Sequence, residues 1–254
     1  MTRGRWILRA SQLIFVVVLV LIWQWAASGR HIDPFFFGRP SKVWDLLVAW
    51  SRDGTLSKEV GSTAVLLVVG FVSGIVVGSA LGVLLAVSRL AKDVFEPYIV
   101  FLNAVPRIIL YPFLIVWLGV GLTPKVVTIV LVLVPTVAIN ISAGFKDIQG
   151  EYLSNMRALG ARRRDLAIHV YAPSLTLWIL STCRVTFAFA FQATILAELL
   201  VATKGLGFLV DQGQSNFNVN EIFAAMALVV LMAVVADALL GLLERRVTRW
   251  MPQT

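Results

Sequence analysis

Very little in this 254-residue chain can do chemistry. Its one cysteine, Cys183, excludes an internal disulfide. His31 and His169 stand in separate polar stretches, so neither a metal pair nor a catalytic triad can be assembled around them. No G-x-x-x-x-G-K-[ST] run occurs, which removes ATP hydrolysis by a P-loop. No nucleophile with a neighbouring base is found, so the chain reads as non-catalytic, without metal or cofactor. Charge is scarce as well. Charged residues make up 14% of the chain, against about a quarter in soluble domains.

Apolar residues fill the gap, at 59% of the total. The composition is that of an all-α polytopic membrane protein, one transmembrane domain over residues 1–254. Six runs serve as spans: Leu13 to Ala27, Ser62 to Val87, Tyr98 to Leu118, Val126 to Ala143, Ser174 to Leu200 and Glu221 to Leu243. The first, behind Arg3, Arg5 and Arg9, has the outline of a secretory leader. The further spans behind it favour a retained helix. Gly29 to Gly61 is a mixed-charge connection, with turn signals at Asp33-Pro34 and Arg39-Pro40-Ser41. Its Val43–Trp50 portion is amphipathic and suits the membrane surface. Ser88 to Glu96 and Gly119 to Lys125 read as short polar turns, and Val201 to Asn220 as a longer polar connection.

The net charge of +8 fits anionic lipid and the excess of basic residues on the cytoplasmic side better than nucleic acid. With the N-terminus inside, the inner segments hold thirteen Lys and Arg and the outer ones seven. Both termini and the Glu151–Pro173 interval are therefore expected in the cytoplasm.

Two features inside the spans stand out. Gly70, Gly74, Gly78 and Gly82 recur at every fourth position, a helix face on which another backbone can approach closely. Ionisable groups are costly in hydrocarbon and are functional candidates. Arg107 follows Pro106, so it faces a pathway, snorkels or caps a broken helix. Arg184 divides equally between pathway and structure. Glu198 reads first as an interfacial carboxylate at the outer end, and otherwise as a pathway group. Asp237 is expected to pair with a basic neighbour near the inner leaflet.

The most informative polar stretch is EYLSNMRALGARRRDLAIHVYAP, Glu151 to Pro173. Ile148, Tyr152, Met156 and Leu159 recur at helical spacing, and Gly160 follows where a helix stops. Asp165 suits the first turn of a second short helix, which Pro173 ends. The stretch resembles the cytoplasmic coupling loop of permease subunits of bacterial ABC importers. Gly160 and Pro173 fall on that loop's Gly and Pro at the right separation, with Val170 at its Ile position. Ser154, Asn155 and Met156 stand where those permeases carry Glu-Ala-Ala, and Ala172 replaces a Leu. Further pieces fall in order: Asp33-Pro34-Phe35, Glu96-Pro97, Val105-Pro106, Tyr111-Pro112, Trp117-Leu118-Gly119-Val120-Gly121, Ala197-Glu198-Leu199, Gly205-Leu206-Gly207 and Leu243-Glu244-Arg245-Arg246. Together they resemble the nitrate/sulfonate/taurine/bicarbonate branch.

That resemblance implies a type I ABC importer permease fold of about six transmembrane helices in a bacterial inner membrane, with a cytoplasmic coupling helix in a loop over 147–173. It implies a second permease copy, two ABC ATPase subunits and an extracytoplasmic substrate-binding protein as partners. The ATPase would meet Glu151, Tyr152, Ser154, Asn155, Met156, Arg157, Ala158, Leu159, Gly160, Arg163 and Pro173. The substrate pathway would use Asn103, Arg107, Tyr111, Arg184, Gln192 and Glu198. Branch membership and the in-span arginines favour a small anion such as a sulfonate or nitrate. An aromatic acid or a pyrimidine vitamin precursor is the alternative cargo. Competing readings are a proton-coupled secondary transporter relaying through Glu198 and Asp237, and a structural scaffold built on the glycine stripe.

Overall fold

A chain this apolar has to satisfy its backbone polar groups within each segment, because hydrocarbon offers no hydrogen-bond partners. The computed structural model accordingly shows helices throughout its described residues: 2–29, 32–147, 156, 160, 162–166, 168, 171–201 and 203–247. In chain order they are α1 (Thr2–Ser28), α2 (Pro34–Phe37), α3 (Pro40–Arg52), α4 (Thr55–Val87), α5 (Arg89–Ala104), a 3₁₀ turn (Arg107–Leu110), α6 (Tyr111–Leu118) and α7 (Leu122–Asp147). They continue as α8 (Arg163–Leu166), α9 (Ala172–Leu200), α10 (Leu206–Ser215) and α11 (Val219–Val247). Five of them, α1, α4, α7, α9 and α11, are long and apolar enough to cross a membrane. The expected third span is present as two helices with a break between them.

Several expected turns are helix starts. Asp33 caps α2, its side chain accepting from the Phe35 N–H, with Pro34 at the first helical position. Pro40 opens α3 in the same way. Ser88 caps α5 by accepting from the Ala91 N–H at 3.2 Å, so the supposed charged loop is the first two turns of a helix. In each case a capping side chain or an N-terminal proline, read as a turn marker, supplies or dispenses with a donor that a helix start needs. Pro173 likewise begins a helix rather than ending one, because it lies in the first turn of α9.

By density of internal contacts the chain forms two compact units. The first comprises Met1–Ser62 and Lys204–Leu231. There Trp23 packs on Phe223 with ring centroids 4.9 Å apart and donates Nε1–H to the Phe37 carbonyl at 3.0 Å. Asn220 accepts from the Arg39 N–H at 2.8 Å. The buried Glu59 carboxylate accepts from the Gly205 N–H at 2.6 Å.

The second unit, Thr63–Thr203 and Met232–Thr254, holds the main core. The glycine stripe of α4 lies against α7. A Cβ added at Gly70 would meet Ile129, one at Gly74 would meet Leu133, one at Gly78 Val137 and one at Gly82 Ile141, with approaches of 2.6 to 2.8 Å. Van der Waals contact needs about 3.5 Å or more between carbons, so no side chain fits. The partners advance in step with the glycines, so α4 and α7 run in the same direction. A membrane crossing in the opposite sense must join them, and only Arg89–Leu118 is available for it. On the other side of α4, Val65, Val68, Val72 and Val76 are exposed, as suits side chains whose solvent is lipid.

α9 runs antiparallel to α7. Gly144 lies under Trp178 at one end, and Lys125 Nζ is 3.3 Å from Thr203 Oγ1 at the other. Next to the first contact Phe145 stacks on Tyr171, with centroids 4.6 Å apart and planes 6° from parallel. The pair is a hairpin whose tip is the interval expected to couple.

Candidate functional site

The break in the third crossing follows from one residue. α5 ends at Ala104, and Phe101 still receives the Val105 N–H at 3.2 Å. The next carbonyl, of Leu102, would take the N–H of residue 106, but that residue is Pro106 and has none. The Arg107 side chain supplies the missing donor, with Nε–H to Leu102 O at 2.8 Å. Its Nη1 donates to the carbonyl of Val132, and its Nη2 to Asn103 Oδ1. Val132 sits in the α7 turn that Pro135 loosens by having no N–H of its own. Arg107 therefore caps a broken helix, one of the roles expected of it.

Capping does not exhaust it. Three of the five guanidinium N–H groups are engaged, all by oxygens that carry no formal charge. Among the described residues Arg107 forms no ion pair with a carboxylate. A positive charge thus stands within a membrane crossing with two donors to spare. It lines a cavity of about 410 Å³ together with Asn103, Val132, Phe189, Gln192 and Leu196. This size falls within the range of small-molecule sites. The structure brings together here three of the six residues assigned to the pathway: Asn103, Arg107 and Gln192.

The other three lie elsewhere. Tyr111 opens α6 fully buried, and its hydroxyl has no hydrogen-bond partner among the described residues. Glu198 is 1% exposed and lies near the end of α9. Thr63 Oγ1 donates to Glu198 Oε2 at 2.9 Å. The second span was expected from Ser62. It begins at Thr55, so Thr63 is already in its third turn and can cover a carboxylate near the end of α9. Arg184 pairs with Glu244 of α11 at 2.9 Å and is 61% exposed at the side chain. Asp237 is exposed. Sequence reasoning missed Thr63 and Val132. Thr63 is a lone hydroxyl at the head of an apolar run, a weak signal. Val132 contributes only a carbonyl, which no side-chain pattern announces.

Most of the expected coupling residues, Glu151, Tyr152, Ser154, Asn155, Arg157, Ala158 and Leu159, lie outside the described residues. Met156 is helical, and Gly160 has φ +82°, the left-handed geometry of a helix stop. Asp165 sits in the first turn of α8 and accepts from the Arg162 N–H at 3.0 Å, as its placement in the sequence anticipated. Arg163 is the first residue of that helix.

Comparison with known proteins fits this arrangement. Residues 74–249 match the family described as binding-protein-dependent transport system inner membrane component. The taurine transport system permease protein TauC of Escherichia coli K12 is 26% identical over 240 residues, covering 92% of this chain and 87% of that protein. The putative aliphatic sulfonates transport permease protein SsuC of the same organism is 26% identical over 248 residues, covering 98% and 94%. Among solved structures, an inward-facing conformation of the MetNI methionine ABC transporter aligns with a TM-score of 0.65 at 21% identity, over 80% of this chain and 99% of that one. That similarity is one of fold.

Proposed function

The chain belongs to the binding-protein-dependent transport system inner membrane components, and on that premise we propose that it lines the pathway of an ATP-driven importer for a small anion. As a permease subunit it carries no catalytic group. ATP is hydrolysed by separate subunits, a second copy completes the pathway, and an extracytoplasmic protein delivers the solute.

One observation supports the choice of solute. Arg107 faces a cavity with its charge unmatched by any described carboxylate and with two N–H groups uncommitted. A guanidinium suits oxyanions because its donors form a planar fork. The similarity to taurine and sulfonate permeases points the same way. The test is ATP-driven uptake in proteoliposomes holding the chain with its cognate ATPase and binding protein. Arg107→Lys should slow uptake of a sulfonate or nitrate, and Arg107→Gln should abolish it with the cavity still formed. Selective uptake of a neutral pyrimidine, unaffected by Arg107→Gln, would sink the reading.

The tip of the α7–α9 hairpin is the element the ATPase grips. A ligand shifts a two-state element only through differential contacts. The stack of Phe145 on Tyr171 and the seating of Trp178 on Gly144 make the hairpin stiff near its tip, so a pull there moves both helices. Gly160→Val should leave ATP turnover running while uptake falls, since a β-branched residue resists φ +82°. Normal uptake in that variant counts against the docking role. Both termini and the tip face the cytoplasm by the charge count. A cysteine at Asn155, in a Cys183→Ser background, should react with an impermeant reagent only after cells are opened.

A further inference from the structure

A second cavity plays no part in the transport reading. It lies in the second unit between the end of α4, the start of α5 and the end of α7, and encloses about 430 Å³. Leu85, Ile99, Val100, Ile139 and Ala143 form apolar walls, with the Ser142 hydroxyl among them. Lys92 and Glu96 border it, one helical turn apart on α5, with Nζ 3.5 Å from Oε2 and 33% and 54% of their side chains exposed.

Three properties define what fits. The walls are hydrocarbon, so the occupant carries an apolar chain. The rim carries one cation and one anion side by side, so a head with a single charge meets a like charge whichever way it turns. A zwitterionic head meets an opposite charge at both places. The depth is set by the chain. α4 ends its apolar run at Val87 and Ser88 caps α5, which puts the first turns of α5 where hydrocarbon gives way to headgroups. Glu96 also selects between zwitterions. A primary ammonium can donate hydrogen bonds to its carboxylate, whereas a quaternary ammonium has no N–H to give.

We propose that this cavity binds one phospholipid with an ethanolamine-type head. Lys92 holds the phosphate, Glu96 holds the ammonium and an acyl chain enters between Leu85, Ile99 and Ile139. The opposite charges complement the head, and the apolar cavity continues the hydrocarbon layer the helices already occupy.

Native mass spectrometry of the full chain from nanodiscs of mixed ethanolamine, choline and glycerol phospholipids tests the assignment. The wild type should retain one ethanolamine lipid per chain, favoured over the other heads by about tenfold, the worth of one charge-assisted hydrogen bond. Glu96→Gln should raise retention of the anionic glycerol head to match ethanolamine. The double exchange Lys92→Glu with Glu96→Lys should keep the ethanolamine preference, since the head can turn round. Ala143→Leu, which fills the cavity without touching the charges, should release the lipid. Retention by the wild type without headgroup preference, a preference for the anionic head, or an absence of bound lipid because a second copy of the chain covers the cavity would each overturn the proposal.

Discussion

The seam between α4 and α7 and the break around Pro106 lie in the same unit and solve opposite problems. The seam removes side chains: four glycines let α7 lie against bare backbone, and the side chains that meet them, Ile129, Leu133, Val137 and Ile141, are apolar. The break removes backbone bonds, and one long polar side chain has to replace them. In water either defect could be mended by solvent. In a bilayer the seam gains from close packing, because hydrocarbon gives helices no other reason to associate. The break persists only because Arg107 satisfies it from within. The tightly packed seam and the polar break thus lie side by side, and on the proposed reading it is the break that meets the solute.

Four substitutions test that contrast, from the largest expected effect to the smallest. Gly74→Leu should be the most damaging, because even a Cβ there stands 2.6 Å from Leu133 Cδ1. Overpacking of this kind costs about 3 kcal/mol, read as a lowered unfolding midpoint in detergent. A variant as stable as the parent would show that the seam is looser than the contacts imply. Arg107→Ala leaves two carbonyls without their donor beside a cavity that water can enter, so about 2 kcal/mol is expected from the same measurement. Its uptake should fall well beyond what that loss of folded protein explains. If stability falls and uptake per folded molecule does not, the break is structural alone. Thr63→Val takes one hydrogen bond from the buried Glu198 carboxylate, at about 1.5 kcal/mol. Arg184→Ala removes an exposed ion pair and should change stability by less than about 0.5 kcal/mol. Uptake should survive it, since Arg184 pairs with Glu244; lost anion uptake would return Arg184 to the pathway.

Much of this was legible beforehand, and what was not has physical causes. A four-residue period names the helix face it creates, so the glycine stripe was visible as a packing face. It does not name the partner, and nothing in Ile129, Leu133, Val137 and Ile141 marks them as the opposing row. Pro106 and Pro112 announced an interrupted crossing. That Leu102 would lose its donor also follows from Pro106 standing four residues on. The use of Val132 as a second acceptor does not, because it depends on how α7 lies. Asp33-Pro34 and Ser88 were misread because a capping side chain and a turn residue are the same chemistry, and only the following residues' geometry separates them.

The sequence by itself determined the solvent, the apolar runs that become the long helices, and the stops at Gly160 and Pro106. These depend on composition and on local backbone rules, which act within a few residues. The tertiary structure alone decided that Glu198 is covered by Thr63, that Arg184 is spent on Glu244, and that Asn103, Arg107 and Gln192 share one cavity. Those outcomes depend on depth and on which helix faces which. In a bilayer, where every span is apolar all round, periodicity does not carry that information.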